Sequence, residues 1–311
     1  MFMDDNKKVT IRDVAKFAGV SVATVSYIMN ERYDIKIKEE TRKKVKQVAN
    51  ILNYVPNHTA RSLATGHADV VGIAYRVSYA SPAAEMETMS FVNLLVEKLS
   101  RMHYCVTFIP LEEDHASYKS KDFLQTVSAI IVLDLPEAQF HSFADNFYVP
   151  VISVDMLLDD LLFYQIYSDY AASLKKALEI AGEDCCVLMD KRANQAYLEF
   201  LTKNIPAGKL LFYALDTPDY LKKFKERNYV VLGTYLALFL KSYIPKEHLI
   251  VLSSGKETEC LSDISTLIPM DMEKKANLIV NILLNSIEHR FSIAHQYPVG
   301  ALDDNRIAQT P

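Results

Sequence analysis

The sequence predicts an all-α head with a helix-turn-helix, followed by an α/β body of two lobes, each with a parallel sheet. Three observations predict this architecture. The 311 residues suffice for two or three domains. Short amphipathic helices separated by a glycine turn occupy the chain before Gly66. After Gly66, apolar runs of strand length alternate with helical stretches, which is typical of parallel sheets covered on both faces.

The composition and the cysteine pattern limit the class of protein. Hydrophobic residues make up 50% and charged residues 23% of the chain, which is typical of a folded globular protein. The first residues lack the apolar region of a signal peptide, and no long uncharged apolar run follows. The sequence therefore predicts a cytoplasmic protein with no membrane span, metal or cofactor. The cysteines show no zinc or CxxC spacing and are predicted to be buried thiols in a reducing compartment: Cys105, Cys185, Cys186 and Cys260.

The charge is divided unevenly along the chain. Residues 1–66 carry 12 Lys/Arg against 7 Asp/Glu, whereas residues 67–311 carry 22 against 32, so the net charges are +5 and −10. A basic head on an acidic chain indicates a module that binds phosphates. A basic segment is also compatible with a merely solvated surface, so the pattern inside the head decides between the two.

The head has the sequence pattern of a helix-turn-helix. Thr10 and Asp13 have the spacing of a capping box at the start of the first helix. Gly19 ends that helix, and Ser21 caps a second helix that runs to about Met29. In a helix-turn-helix the second helix lies in the major groove of DNA. With a third helix over about 39–52, the predicted core contains Val14, Ala15, Ala18, Val25, Ile28, Val45, Val48 and Leu52.

A fourth short helix is predicted after the head. Pro56 stops the preceding segment, and Asn57 can cap a helix over about 58–64. A helix this short is marginal in water, so we expect it to fold against a partner. Arg61 and the apolar Leu63 suggest that this partner is DNA.

Several spaced blocks of the head and hinge carry a family resemblance. Residues 9–15, 18–26, and the hinge blocks 53–57 and 60–63, together resemble the DNA-binding head and hinge of the lactose-repressor (LacI/GalR) family of bacterial transcription regulators. The resemblance implies a sequence-specific regulator, a repressor that binds a palindromic operator as a homodimer. It divides the chain into a head at 1–56, a hinge helix at 57–66 and an effector-binding and dimerisation body at 67–311.

The resemblance also assigns DNA contacts. Leu63 matches the leucine that wedges into the central base step through the minor groove, although it could instead be a structural contact to the body. Many members carry Arg where this chain has Tyr27, and Tyr cannot grip a guanine with two hydrogen bonds. The positions that face base edges are Val22, Ala23 and Tyr27, of which the first two could serve helix formation alone. The positions that contact phosphate are Thr10, Ser21, Thr24, Asn30, Tyr54 and Asn57. Ser26, Ala60 and Arg61 complete the predicted DNA-binding set.

For the body, the resemblance implies a periplasmic-binding-protein-like core with three chain crossings between lobes. We expect these crossings near Tyr164, Ser265 and Gln296. Lobe 1 then covers about 67–164 plus 266–295, and lobe 2 covers about 165–265 plus 296–311. A helix over 271–287 belongs to the first lobe in this scheme. Ligands of such folds bind in the cleft at the carboxyl ends of the strands.

The predicted cleft departs from the pattern of sugar-binding relatives. Those proteins resemble one another in an Arg, an Asn-Asp pair and an Asp at places where this chain has Ala196, Thr234-Tyr235 and Ser254. Losing those groups removes the charge-assisted hydrogen bonds that hold sugar hydroxyls, so no ordinary sugar is expected as effector. The candidate effector-binding residues, each of which could instead be a strand-end cap or a surface residue, are Tyr79, Asp155, Asp169, Arg192, Tyr235 and Ser254.

Two other functions remain to be weighed. An enzyme or a solute-binding protein is disfavoured because no nucleophile–base pair, metal cluster or carboxylate pair stands at a strand end. The alternative is an effector-independent or partner-protein-controlled DNA-binding protein with a degenerate cleft. The expected partners are double-stranded operator DNA, a second copy of the chain, and an unknown small molecule or partner protein.

Overall fold

The chain has two compact units, a head within Met1–Ala68 and a body within Asp69–Pro311. The computed structural model describes residues 9–29, 35–52, 54, 69–77, 81–111, 127–214, 219, 221, 226–254, 260–264, 266–290 and 294–302. The predicted hinge helix and most of the helix expected over 217–226 lie outside these residues.

Three helices form the head around one small core. They are α1 (Ile11–Ala18), α2 (Val22–Met29) and α3 (Glu39–Ile51). Gly19 ends α1 at a φ of 69°, in the left-handed region that glycine adopts without strain, and its N–H donates to the carbonyl oxygen of Ala15. The predicted core is confirmed, with Val48 and Leu52 only partly buried and Ala49 buried in addition. The buried residues are Val14, Ala15, Ala18, Val25, Ile28, Val45 and Ala49.

The body contains two parallel sheets, as the sequence predicts. The first has the strand order β11-β5-β4-β3-β1-β2 and the second the order β10-β9-β8-β6-β7. The strands of the first sheet are β1 (Val70–Arg76), β2 (Cys105–Leu111), β3 (Ala129–Leu133), β4 (Val151–Val154), β5 (Tyr164–Ser168) and β11 (Gln296–Val299). Those of the second are β6 (Cys185–Met189), β7 (Leu210–Phe212), β8 (Asn228–Leu232), β9 (Leu249–Ser253) and β10 (Thr266–Pro269).

Helices cover both sheets. They are α4 (Pro82–Arg101), α5 (Glu137–Ala144), α6 (Ala171–Ala181), α7 (Gln195–Thr202), α8 (Thr234–Leu240) and α9 (Met272–Ile287), with a 3₁₀ turn at Lys246–His248. Helices α4 and α9 pack against each other and against the first sheet through a shared apolar core. The predicted first-lobe helix over 271–287 is therefore confirmed, and Asp271 caps it by accepting a hydrogen bond from the N–H of Lys274.

The lobe limits differ from those expected. Strand β5 pairs with β4, and β11 pairs with β5, so Tyr164–Ser168 and Gln296–Val299 belong to the first sheet rather than the second. Thr266–Pro269 pairs with β9 and belongs to the second sheet rather than the first. The prediction failed because apolar patterning marks a strand without showing which sheet it joins. The short link over 155–163 instead returns the chain to the same sheet, where the buried Gln165 side chain binds the link backbone at Leu158.

The three lobe crossings lie side by side. The N–H of Asp169, just after β5, donates to the carbonyl oxygen of Val299 at 2.9 Å. Met270, just after β10, forms an antiparallel bridge with Ala301, and the N–H of Asp271 donates to the carbonyl oxygen of Gly300. The number of crossings is as predicted, but each lies a few residues beyond its expected position.

The cysteines only partly follow the prediction. All four are free thiols, and Cys185 and Cys186 are buried, but Cys105 and Cys260 are exposed. Cys105 lies at the start of β2, an edge strand of the first sheet, so its side chain is not enclosed. Among the described residues, no helix is long and apolar enough to cross a membrane. In the same part of the chain, no His, Cys, Asp and Glu side chains cluster in a way that could hold a metal ion.

Candidate functional sites

The N-termini of the first two head helices are held by their own side chains. The backbone N–H and the hydroxyl of Thr10 both donate to Oδ2 of Asp13, at 2.8 and 2.7 Å. At α2 the N–H of Thr24 donates to Oγ of Ser21 at 3.1 Å, and the two hydroxyls share a hydrogen bond of 2.8 Å. The predicted capping box and the Ser21 cap are thus present. They fix where Thr10, Ser21 and Thr24, which are candidate phosphate contacts, stand on the head surface.

The outward face of α2 is unusually apolar. Val22 is 41% exposed and Tyr27 is 39% exposed, while Val25 and Ile28 on the opposite face are fully buried. Ala23 is exposed as well, and Ser26 is half-buried. Leaving large apolar side chains in water lowers stability, so this surface is suited to contact another molecule.

Two other head residues have mainly structural positions. Tyr54 packs half-buried against the head core, and this burial raises the pKa of its phenol. Arg42 is buried on α3, where its guanidinium donates to the carbonyl oxygen of Ile35 at 3.0 Å. The exposed cations of α3 are Lys43, Lys44 and Lys46. Of the predicted DNA-contacting residues, Asn30, Asn57, Ala60, Arg61 and Leu63 lie outside the described residues, as does Tyr79 of the effector set.

In the body, three aspartates follow three strands at the cleft between the lobes. Asp134 comes after β3, Asp155 after β4 and Asp190 after β6. The φ angles of Asp134 and Asp155 are 45° and 52°, in the left-handed region that is strained for a residue with a side chain. Strained residues of this kind are concentrated at functional sites. The two backbone conformations therefore indicate a functional site at the carboxyl ends of the strands of the first sheet.

Asp155 forms a buried ion pair with Lys275 of α9. The Nζ–Oδ2 distance is 2.6 Å, and Lys275, which is fully buried, also donates to Oγ of Ser168 at 2.9 Å. Burial raises the pKa of Asp155, but the charges of Lys275 and Arg192 outweigh it and lower that pKa below its usual value. The hydroxyl of Tyr197, on α7 of the second lobe, donates to Oδ1 of Asp155 at 3.2 Å and to the carbonyl oxygen of Ser168 at 2.9 Å.

Asp134 and Asn194 join the lobes through backbone groups. Oδ1 of Asp134 accepts the N–H groups of Ala193 and Asn194, at 2.9 and 3.3 Å. In return, Oδ1 of Asn194 accepts the N–H of Leu157, in the first lobe, at 3.1 Å. Each lobe therefore supplies an acceptor for backbone donors of the other.

The first turn of α4 reaches the second lobe as well. The hydroxyl of Ser81 donates to Oδ1 of Asp190 at 2.5 Å. Ala83 is buried in the apolar cluster that contains Leu236 and Ala237 of α8. One turn further, Oε2 of Glu87 accepts the N–H of Tyr235 at 3.1 Å.

Glu87 makes a second contact in the second lobe, because the hydroxyl of Ser254 donates to its Oε1. A Cβ atom on Gly233 would lie 3.3 Å from Oε2 of Glu87, so a glycine there allows the carboxyl group to approach closely. Burial raises the pKa of Glu87 to about 7, against the opposing effects of the Tyr235 N–H and the Arg192 guanidinium.

Arg192 lies half-buried in the loop after β6. Its pKa is raised, because the Asp134 carboxylate and other acidic groups outweigh the opposite effect of burial. Among the residues that the structure describes, its buried Nε has no hydrogen-bond partner, and neither does Nδ2 of the nearby Asn194.

Four candidate effector residues therefore come together in the cleft. They are Asp155, Arg192, Tyr235 and Ser254. Asp169 instead lies at a lobe crossing and accepts the N–H of Ala171 at 2.9 Å, and Ala196, aligned with a sugar-binding position, is exposed. The sequence reasoning missed Glu87, Asp134, Asp190, Tyr197 and Lys275. Of these five, only Asp134 and Asp190 carry a signal in the sequence, because each directly follows a buried strand.

Comparisons with known proteins find similar sequences for the head and similar structures for the whole fold. Residues 10–57 match the model of bacterial regulatory proteins of the lacI family. The chain is 30% identical over 159 residues to the probable transcriptional regulator EndR of Paenibacillus polymyxa, covering 49% of this chain and 44% of that one. It is 46% identical over 71 residues to catabolite control protein A of Streptococcus mutans, covering 23% and 21%. The alignments thus span less than half the length of these curated relatives.

A solved structure shows the fold over nearly the whole chain. The lac repressor dimer bound to operator and the anti-inducer ONPF superposes with a TM-score of 0.66 at 17% identity, covering 95% of this chain and 97% of that one. The fold is thus a helix-turn-helix head followed by a two-lobed periplasmic-binding-protein-like body. Residues 10–57 thus match the head of the lacI family of bacterial regulatory proteins, and the chain as a whole shares the fold of the lac repressor.

Proposed function

We propose that this protein is a transcriptional regulator, a repressor, that binds a palindromic operator as a homodimer in the cytoplasm. The observation that carries the proposal is the exposed apolar face of α2, where Val22 and Tyr27 stand on a well-packed three-helix core. In the major groove these side chains would contact base edges and thymine methyl groups. The family match of residues 10–57 supports the same function.

The charge distribution supports this proposal. Residues 1–66 carry a net charge of +5 and the remainder −10, so attraction to phosphate is confined to the head. Capped helix N-termini, such as those at Thr10 and Ser21, present amides and hydroxyls that fix register on a phosphate backbone. A single head reads one half-site, and a palindrome therefore calls for two chains.

Binding to operator and random DNA, measured against salt concentration, tests the proposal. We expect log K to fall with log salt by about 0.9 per phosphate neutralised. A chain lacking residues 1–66 should lose operator binding, and retained affinity in that chain would refute the assignment.

The hinge contact is tested by Leu63→Ala. By the family resemblance, removing this wedge should weaken specific binding by several kcal/mol per dimer while non-specific binding stays the same, because only the specific complex is kinked. An equal loss on operator and random DNA would instead make Leu63 a structural contact. DNA bending, measured by circular permutation, provides the second readout.

The effector of the body is a separate question. A small molecule other than an ordinary sugar could bind between the lobes, where Arg192 and Asn194 have buried donors with no partner in the described part of the chain. The alternative is a regulator that needs no effector or answers to a partner protein. The direct hydrogen bonds between the lobes at Glu87, Asp134 and Asn194 favour this alternative.

A further inference from the structure

The cleft of the body is closed by contacts of the chain with itself, and one of them is made by the side chain of Glu87. We propose that Glu87 is an interlobe latch, whose carboxyl group holds the cleft shut without a bound small molecule. The latch deepens the effector-independent alternative, in which the body needs no effector. It concerns the body alone, so it can be tested without DNA and stands or falls apart from the DNA-binding proposal.

The position of Glu87 supports a latch. Its helix, α4, is anchored in the first lobe by apolar side chains of the core, among them Phe91 and Leu95. Its carboxyl oxygens nevertheless accept hydrogen bonds from Tyr235 and Ser254, both in the second lobe. The side chain thus spans the boundary between two separately built cores.

The two partners of Glu87 lie where a ligand would be expected to bind. Tyr235 and Ser254 follow β8 and β9, where sugar-binding relatives are expected to carry their polar ligand contacts. Here the backbone N–H of Tyr235 and the hydroxyl of Ser254 already donate to the carboxyl group of Glu87. Glu87 therefore takes a place that an external hydrogen-bonding ligand would otherwise fill.

Other contacts of α4 with the second lobe support those of Glu87. Ala83 packs against α8, and Ser81 binds Asp190, so the first turn of α4 is held by apolar and polar contacts together. Gly233 leaves room for the carboxyl group, because a side chain there would press on Oε2. The latch is thus fitted by shape as well as by hydrogen bonds.

Closure is expected to take up a proton. Charged and titratable groups on several elements face Glu87, and burial raises its pKa to about 7 in the closed cleft. In an opened, hydrated cleft the pKa returns to its ordinary value near 4.5. Because the closed form binds the proton more tightly, raising the pH from well below 4.5 to well above 7 disfavours closure by about 300-fold in total. The groups that face Glu87 are Arg192, Asp190, Lys275 and Tyr170.

Hydrogen exchange of the full chain tests the latch at the Tyr235 amide. The protection factor, corrected for the intrinsic pH dependence of exchange, is measured without ligand between pH 5.5 and 8 for the wild type, Glu87→Ala and Glu87→Gln. We expect at least tenfold loss of protection in Glu87→Ala. Glu87→Gln, which imitates the protonated acid, should keep its protection at pH 8, where the wild type loses part of its own. Glu85→Gln, an exposed position on the same helix, is the matched control and should behave as the wild type.

The result that overturns the latch is wild-type protection of Tyr235 in Glu87→Ala, or the same pH dependence in wild type and Glu87→Gln. If Glu87→Ala loses protection throughout the body, that variant has unfolded, and Ser254→Ala decides instead. This milder variant removes one latch partner and should raise exchange at Tyr235 alone. Unchanged exchange in Ser254→Ala would also overturn the proposal.

Discussion

The face of α2 and the cleft of the body place opposite kinds of side chain in opposite environments. On α2, Val22 and Tyr27 are apolar or aromatic and lie in water. In the cleft, Lys275 is charged but fully buried, and it forms an ion pair of 2.6 Å with Asp155, whose side chain is 18% exposed. The first arrangement is suited to contact with a partner molecule, whereas the second is largely completed by the chain itself. The environment of a site therefore indicates whether a partner is needed.

The largest loss of stability is expected from breaking the ion pair between Asp155 and Lys275 in the cleft. Lys275→Met leaves the Asp155 carboxylate buried without its cation, and we expect this to lower the free energy of unfolding by about 3–5 kcal/mol. Replacing both partners, as Lys275→Met with Asp155→Asn, should recover most of that loss because no unpaired charge remains. Thermal and urea unfolding at pH 7 measure both variants. An equal loss in the single and double variants would contradict the assigned role of the pair.

A second test uses the pH dependence of stability that Glu87 gives to the cleft. Because the pKa of Glu87 is raised from 4.5 to about 7, the folded state binds its proton more tightly than the unfolded state. This group therefore favours folding at low pH, and stability falls as the pH rises towards 7, by at most about 3 kcal/mol. Glu87→Gln should lack this component of the pH dependence. Urea unfolding from pH 5 to 8 checks it, and parallel curves for the two proteins would count against it.

The exposed face of α2 can be tested through its base preference. Tyr27→Arg places a guanidinium where the wild type has a phenol, and a bidentate contact to guanine is worth about 1–3 kcal/mol of discrimination. Selection from a random operator library should therefore return a guanine under the second turn of α2. Since Tyr27 is 39% exposed, protein stability should hardly change. The same selected half-site for both proteins would mean that Tyr27 does not read sequence.

The smallest expected effect is at Ser21, where two variants distinguish helix capping from contact with DNA phosphate. Its side chain caps α2, so Ser21→Ala should destabilise the head by about 1 kcal/mol, whereas Ser21→Gly should cost only a few tenths. Both variants lack the hydroxyl, so both should weaken operator binding alike if it contacts phosphate. Hydrogen exchange of the head and operator titration, each on the full chain, provide the two measurements.

Local patterns in the sequence predicted the elements better than their assembly. The Thr10–Asp13 capping box, the Gly19 turn and the strands at Ala129–Leu133 and Cys185–Met189 follow from nearest-neighbour chemistry and apolar runs. The sheet that receives Tyr164–Ser168 depends on pairing with Val151–Val154, which no local pattern records.

The candidate sites divide in the same way. Asp155 was predicted because it directly follows a strand, and the same rule applied evenly would have added Asp134 and Asp190. Glu87 and Lys275 carry no such signal, since each lies within a helix and its role depends on which lobe it meets. Lysine is also so seldom fully buried that its sequence context predicts exposure.

The adjacent crossings at Asp169, Met270 and Gly300 have a mechanical consequence for the body. Backbone hydrogen bonds tie the three segments to one another, so the lobes are joined along a single short line. A joint of this kind resists sliding and leaves rotation about that line as the soft motion. Displacement then grows with distance from the joint, so a contact far from it controls a large movement with a small force.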